Sequence, residues 1–133
     1  MATTQLPEEQ IKFEFGGETY QVKYPDNGQI MDIEANKVSL SSGKYLDWLR
    51  MGTVSGTAIN ALNICDMVAT LTVLVPTLKK RLRVESLLRL TPIQTRKLSK
   101  AFAQTILPWL NAWDEALATA EDEDDETADE AGK

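Results

Sequence analysis

The sequence TAINALNICDMVATLTVLVP, residues 57–76, decides the fold class of this 133-residue chain. Its apolar residues recur at helical spacing and cover nearly the whole circumference, which is typical of a helix buried at the centre of a domain. The most apolar part, residues 67–78, is shorter than the ~20 residues that a membrane span needs. Asp66 is the one charge in the quoted stretch, and we predict that it anchors a neighbouring helix through a hydrogen bond. Pro76 ends the helix because proline lacks a backbone N–H.

A β-hairpin and two short helices are predicted before this central helix. Apolar and polar residues alternate on both sides of a Gly-Gly pair in IKFEFGGETYQVKYP, residues 11–25. Glycine adopts the positive φ that a tight hairpin turn requires, so this pattern predicts two paired strands. Residues 1–10 are interpreted as a flexible leader. A weak helical pattern starts at Ile30, and either Ser41 or Ser42 is suited to cap a second helix.

Two further helical segments are predicted after the central helix. Residues 77–90 form a basic amphipathic stretch, in which leucines alternate with lysines and arginines. Thr91-Pro92-Ile93-Gln94 has the pattern of a capping box with proline at the first helical position, which predicts a helix start. Pro108 lies inside the helical pattern that follows, so we expect a kink or two successive helices there.

The charges are strongly segregated along the chain. Residues 121–133 carry eight carboxylates and one lysine, a net charge of −7, whereas residues 1–120 carry a net +1. Residues 79–100 hold eight basic residues and one acid. A segment poor in apolar residues and rich in one charge is typical of disorder. The acidic segment either docks on the basic one, competes for its partner, or only solubilises the chain.

These patterns together predict a mainly α fold. We expect a single α-rich domain over residues 11–120, in which the hairpin packs on a small helical bundle, followed by a disordered acidic tail at residues 121–133.

The composition argues against the common catalytic centres. The sequence has no histidine, which removes the usual general base and the commonest metal ligand. Cys65, the single cysteine, lies in an apolar run and is interpreted as a small buried hydrophobe. No Gly-rich phosphate loop is present. We therefore expect no catalytic, metal or cofactor site, and a cytoplasmic rather than a secreted or membrane protein, because no apolar signal segment is visible and an unpaired cysteine suits a reducing compartment.

Two sets of side chains are candidates for binding a partner. Core packing is the default interpretation of the apolar set, and a solvated helix face is that of the basic set. Partner binding is the alternative for both, because tryptophan is enriched at interface hot spots. No aromatic residue lies between Lys79 and Lys100 to stack on bases, so nucleic acid is not the expected partner. The basic set comprises Lys79, Lys80, Arg81 and Arg83, and the apolar set comprises Trp109, Leu110, Trp113 and Leu117.

Four segments occur in a familiar order: KFEFGGETYQVKYP, VSLSSGKYLDWL, AINALNICDMVATLTVLVP and TRKLSKAFAQTILPWLNAW, followed by a charged tail. Across residues 11–115 this layout resembles the small tail assembly chaperones of long-tailed bacteriophages. The resemblance implies a non-enzymatic protein that coats a long helical tape measure protein and helps recruit tail tube subunits in a bacterial cytoplasm. Weak self-association is also expected.

Two other functions stay open from the sequence. One is a structural component of the particle, in which the hairpin edge pairs between subunits. The other is a nucleic-acid-linked regulator that uses residues 79–100, with the acidic tail as its inhibitor.

Overall fold

The mainly α architecture with an N-terminal hairpin is confirmed. The computed structural model describes residues 6–52 and 55–131, with side chains described as far as residue 120. The elements follow in the order β1 (Gln10–Phe15), β2 (Glu18–Lys23), α1 (Asn27–Leu40), α2 (Tyr45–Met51), α3 (Gly56–Leu74), α4 (Leu78–Arg81), a 3₁₀ turn (Leu87–Arg89), α5 (Pro92–Gln104) and α6 (Ile106–Ala131).

The hairpin forms as predicted and packs one face on the helices. Gly16 and Gly17 both have positive φ, +62° and +79°, which matches the right-handed twist of the flanking strands. Phe13 pairs with Tyr20 across the strands, and both side chains are buried. Because residues two apart share a face, the lysines and glutamates between them point to solvent.

α3 is the central helix of the domain. The Ser55 hydroxyl accepts the Ala58 N–H at 3.2 Å to cap its start, and it ends at Leu74, two residues before Pro76. Residues 67–71 are all buried, so this part of the helix is covered on every side. Among the helices described, α3 alone has the length and apolar composition of a membrane span, a property that buried core helices share.

α1 begins three residues earlier than the sequence pattern indicates. The Asp26 carboxylate accepts the Gln29 N–H at 2.8 Å, and the Gln29 amide oxygen accepts the Asp26 N–H at 3.0 Å. This capping box converts what was interpreted as a turn into the first turn of a helix. Neither of the two serines proposed as caps is the N-cap of α2, which is Lys44. The Ser41 hydroxyl still accepts the N–H of Tyr45, the first residue of the helix, at 3.0 Å.

The basic stretch over residues 77–90 is not one helix. α4 ends after four residues because Arg83 takes a left-handed conformation, with φ +57°. The Val84 N–H then bonds the Lys79 carbonyl at 3.1 Å, which closes the helix end in the manner of a Schellman motif. Three buried leucines pack the whole stretch, including α4, on the core: Leu78, Leu87 and Leu90.

The capping box at Thr91 is confirmed, and two successive helices form as expected, although they divide at Thr105 rather than at Pro108. The Thr91 hydroxyl accepts the Gln94 N–H at 3.2 Å, and α5 then runs to Gln104. The helix is interrupted at Thr105, three residues before Pro108. Proline is tolerated in the first turn of α6 because backbone N–H groups there lack a partner within the helix.

Flexible segments are predicted at residues 1–10 and 121–133, and the structure describes residues 6–10 and the backbone of residues 121–131. Residues 1–5 lie outside the described part, but the Glu8 carbonyl accepts two hydrogen bonds from α6. The backbone of α6 is helical as far as Ala131. Side chains beyond residue 120 lie outside the described part, so disorder of residues 121–133 stays a prediction.

Candidate helix-binding groove

The two tryptophans proposed as a docking surface lie in the core. Trp109 and Trp113 are 8% and 7% exposed. Both indole N–H groups donate to the Glu8 carbonyl, at 2.7 and 3.1 Å. The Tyr24 ring stacks on Trp113 with centroids 4.5 Å apart and meets the edge of Trp109 at 5.9 Å. These contacts make α6 part of the domain, in agreement with core packing, and the alternative of an exposed tryptophan pair is not observed.

The other two members of the apolar set do not create such a surface either. Leu110 is half-buried against the core, while Leu117 is 43% exposed at the point where α6 leaves the body. The four side chains therefore share a helix but not a binding surface.

The proposed basic set is also dispersed. The Arg81 guanidinium pairs with the Glu18 carboxylate at 3.2 Å and links α4 to the hairpin. Lys79 is half-buried, and Lys80 and Arg83 are exposed. Lys79, Lys80 and Arg81 are successive residues of α4, so their side chains point about 100° apart around the helix.

A concave surface lies between α3 and α5, and we term it the α3–α5 groove. Its volume is about 700 Å³. Sequence analysis missed it because a groove needs two helices to pack side by side, and neither helix shows this in isolation. The α3 side contributes Asn60 and Ile64, and the α5 side contributes Leu90, Pro92, Thr95, Arg96, Ser99, Lys100 and Ala103.

The groove combines an apolar floor with positive charge. Arg96 and Lys100 are exposed along it, and none of its described lining residues is acidic. The whole of α5 lacks an acidic residue. Ile93, 70% exposed, lies three residues before Arg96 and seven before Lys100, hence on the same side of the helix. This arrangement fits an amphipathic helix whose apolar stripe is flanked by carboxylates.

A second apolar surface lies on α2. None of the seven residues of this helix, all of which are described, is buried. Leu46, Leu49 and Met51 are between 49% and 62% exposed. Unlike the groove, this surface is convex, and Asp47 and Arg50 give it charges of both signs.

Asp66 acts as the predicted helix anchor. The Tyr45 hydroxyl donates to Asp66 Oδ1 at 2.6 Å, which joins α2 to α3. The Lys37 ammonium of α1 lies 3.6 Å from the same carboxylate and 2.6 Å from Glu34. Burial and the hydrogen bond to the Asp66 carboxylate raise the pKa of Tyr45 well above its usual range. The cluster holds three helices together and leaves Asp66 engaged on both sides.

Cys65 is a buried thiol, as interpreted from its apolar surroundings. It is 3% exposed, and its thiol donates to the Lys37 carbonyl at 3.4 Å. Burial raises the pKa of Cys65, which favours the unreactive thiol over the thiolate. Within residues 6–52 and 55–120, no group of three potential metal-ligating side chains comes together.

Comparison with known proteins adds no assignment. No protein-family model matches the chain, and neither the curated proteins nor the solved structures contain a match.

Proposed function

We propose that this protein is a non-enzymatic assembly chaperone that binds a helical segment of a client protein in the α3–α5 groove. The observation that carries the proposal is the open apolar groove of about 700 Å³, with basic residues on one side and no described acidic residue in its lining. An α-helix is about 10–12 Å across with its side chains, and grooves between helices are a recurrent place for such a segment.

A phage tail assembly chaperone is the specific form of this proposal. The order of segments in the sequence and the combination of an N-terminal hairpin with a helical body support it. Its client would be a tape measure protein, whose long amphipathic helices expose apolar stripes that aggregate unless they are covered. Tail tube subunits would then be recruited around the coated client.

The groove is tested by a substitution that fills it without touching the core. Ala103 lines the groove and is exposed, so Ala103→Glu adds bulk and a negative charge there that opposes a carboxylate-flanked helix. Ala35→Glu makes the same change at an exposed position of α1, outside the groove. Each tagged protein is used to capture partners from cells that make its native neighbours, and the captured proteins are identified by mass spectrometry.

A very long helix-rich protein captured by the wild type and Ala35→Glu, but not by Ala103→Glu, supports the proposal. Equal capture by all three proteins removes the groove as the binding site. Capture of mature particle proteins alone argues for a different function.

That second function is a structural component of a particle. Within the described residues, β1 and β2 pair only with each other, so each strand has an open edge. Open edges accept a further strand from another subunit. Stoichiometric presence in purified particles distinguishes this role from that of a chaperone, which is lost before the particle is complete.

A further inference from the structure

We propose that the α3–α5 groove of one molecule binds the C-terminal acidic segment of α6, residues 117–131, from a second copy of this chain. The groove is the one in the proposed function, on which the inference rests for its location, but the occupant here is part of the protein itself. A client helix would then enter the groove by displacing this segment.

Charge complementarity is the first argument. Arg96 and Lys100 line the groove, Lys97 adds a third positive charge to α5, and no described lining residue opposes them. Residues 121–130 contain eight carboxylates. The Debye length is about 8 Å at physiological ionic strength, so charges of opposite sign attract one another strongly only when the segment lies in the groove itself.

Length and shape are the second argument. Residues 117–131 span about 22 Å as a helix, and the thirteen residues of α5 span about 20 Å. Leu117 is already 43% exposed. In the sequence, one helical stripe carries Leu117 and Ala120 at its start, Glu121 and Asp124 at i+4 and i+7, and Ala128 and Ala131 at its end. The small residues at both ends of this stripe allow close approach to the groove, and the two carboxylates between them complement its basic residues.

The third argument is that the segment comes from a second molecule. α6 is one continuous helix of 26 residues. Its first turns are fixed to the body by Trp109 and Trp113, which donate to the Glu8 carbonyl. Because α6 continues as a helix from that anchor to Ala131, its C-terminal half does not turn back into the groove of its own chain. The groove and the segment are different surfaces, so two copies either exchange segments reciprocally in a dimer or pair head to tail in a ring or an open chain.

The test measures self-association of the full chain by sedimentation velocity over about a hundredfold range of concentration, at about 50 mM and about 500 mM NaCl. The wild type is expected to associate with rising concentration at low salt and to become monomeric at high salt. The double variant Arg96→Glu with Lys100→Glu should stay monomeric at low salt. Both residues are exposed, so the fold is retained, which circular dichroism checks.

A matched control changes the same charge outside the groove. Lys80→Glu with Arg83→Glu alters two exposed residues of the same basic segment. A fluorescent peptide of residues 114–133 is added to each full-length protein, and its anisotropy is measured. We expect the groove variant to weaken peptide binding at least tenfold relative to the wild type, and the control variant to weaken it less than threefold.

Two results of sedimentation overturn the inference: a wild type that is monomeric at every concentration in low salt, or self-association that persists in the groove variant. Two results of the anisotropy measurement also overturn it: a peptide that does not bind the wild type, or peptide binding that the two double variants weaken equally. None of these measurements uses a client. Loss of client capture in Ala103→Glu, together with any of these outcomes, would leave the proposed function intact while refuting self-association through the groove.

Discussion

Replacing Tyr45 with phenylalanine is expected to lower the free energy of unfolding by about 1.5 kcal/mol. The Tyr45 hydroxyl donates to Asp66 Oδ1 at 2.6 Å. A hydrogen bond to a charged group contributes about 1.5–3 kcal/mol, and the low end applies because the Asp66 side chain is 36% exposed. Phenylalanine keeps the ring that lies 5.5 Å from the Lys37 ammonium, so the substitution removes the hydroxyl alone.

The effect should be visible because α2 has little else to hold it. It buries none of its residues, and its contacts are mainly with α3. Urea denaturation followed by far-UV circular dichroism measures the free energy of unfolding for the wild type, Tyr45→Phe, Asp66→Ala and the double variant. Because both single substitutions delete the same bond, the double variant should be less destabilised than their sum by about 1 kcal/mol.

Lys37 provides an internal control on this reasoning. It keeps its 2.6 Å contact with Glu34 when Asp66 is replaced, so no lysine charge is stranded. A coupling energy below about 0.3 kcal/mol would show that the Tyr45–Asp66 bond does not hold α2 to α3, provided that the slope of the unfolding free energy against urea concentration is the same in all four proteins.

Three further predictions concern the body of the protein. Stability should be full below about pH 10 and fall as the pH rises above it. The unfolded chain loses its tyrosine protons near pH 10, whereas burial raises the pKa of Tyr20, Tyr24 and Tyr45 in the folded protein. Urea midpoints at about pH 8 and pH 11 test this, and a constant midpoint would contradict it. Leu71→Ala should lower the free energy of unfolding by about 3–4 kcal/mol, because the side chain is fully buried. Ile93→Ala, at a 70% exposed position, should change it by less than about 0.5 kcal/mol, and comparable losses in the two variants would refute the assignment of the core. Thr91→Ala should cost about 1 kcal/mol by removing the N-cap of α5, as measured by thermal and urea unfolding, and no loss would mean that the cap bond is replaced by water.

Local chemistry explains which elements could be predicted. The Gly-Gly turn and the Thr91 capping box act over two to four residues, so their patterns were sufficient. The start of α1 was placed late, although Asp26 and Gln29 have the spacing of a capping box. Pro25, Asp26, Asn27 and Gly28 are also turn residues, and the choice between turn and helix depends on whether Ile33 packs on the core, which it does.

The α3–α5 groove could be predicted only in part. The absence of acidic residues from α5 is visible in the sequence and indicates a positively charged surface. The apolar floor is not visible, because Ile64 and Ala103 belong to helices that meet only through tertiary packing.

Sequence alone determined the hairpin, the buried central helix, the start of α5 and the division of charge between residues 79–100 and the acidic segment, because each depends on neighbours within a few positions. Only the tertiary structure decided the environment of Trp109 and Trp113. Their spacing of four residues is the same for a core stripe and for an exposed docking stripe. The Glu8 carbonyl, about a hundred residues earlier in the chain, accepts both indole N–H groups and places them inside.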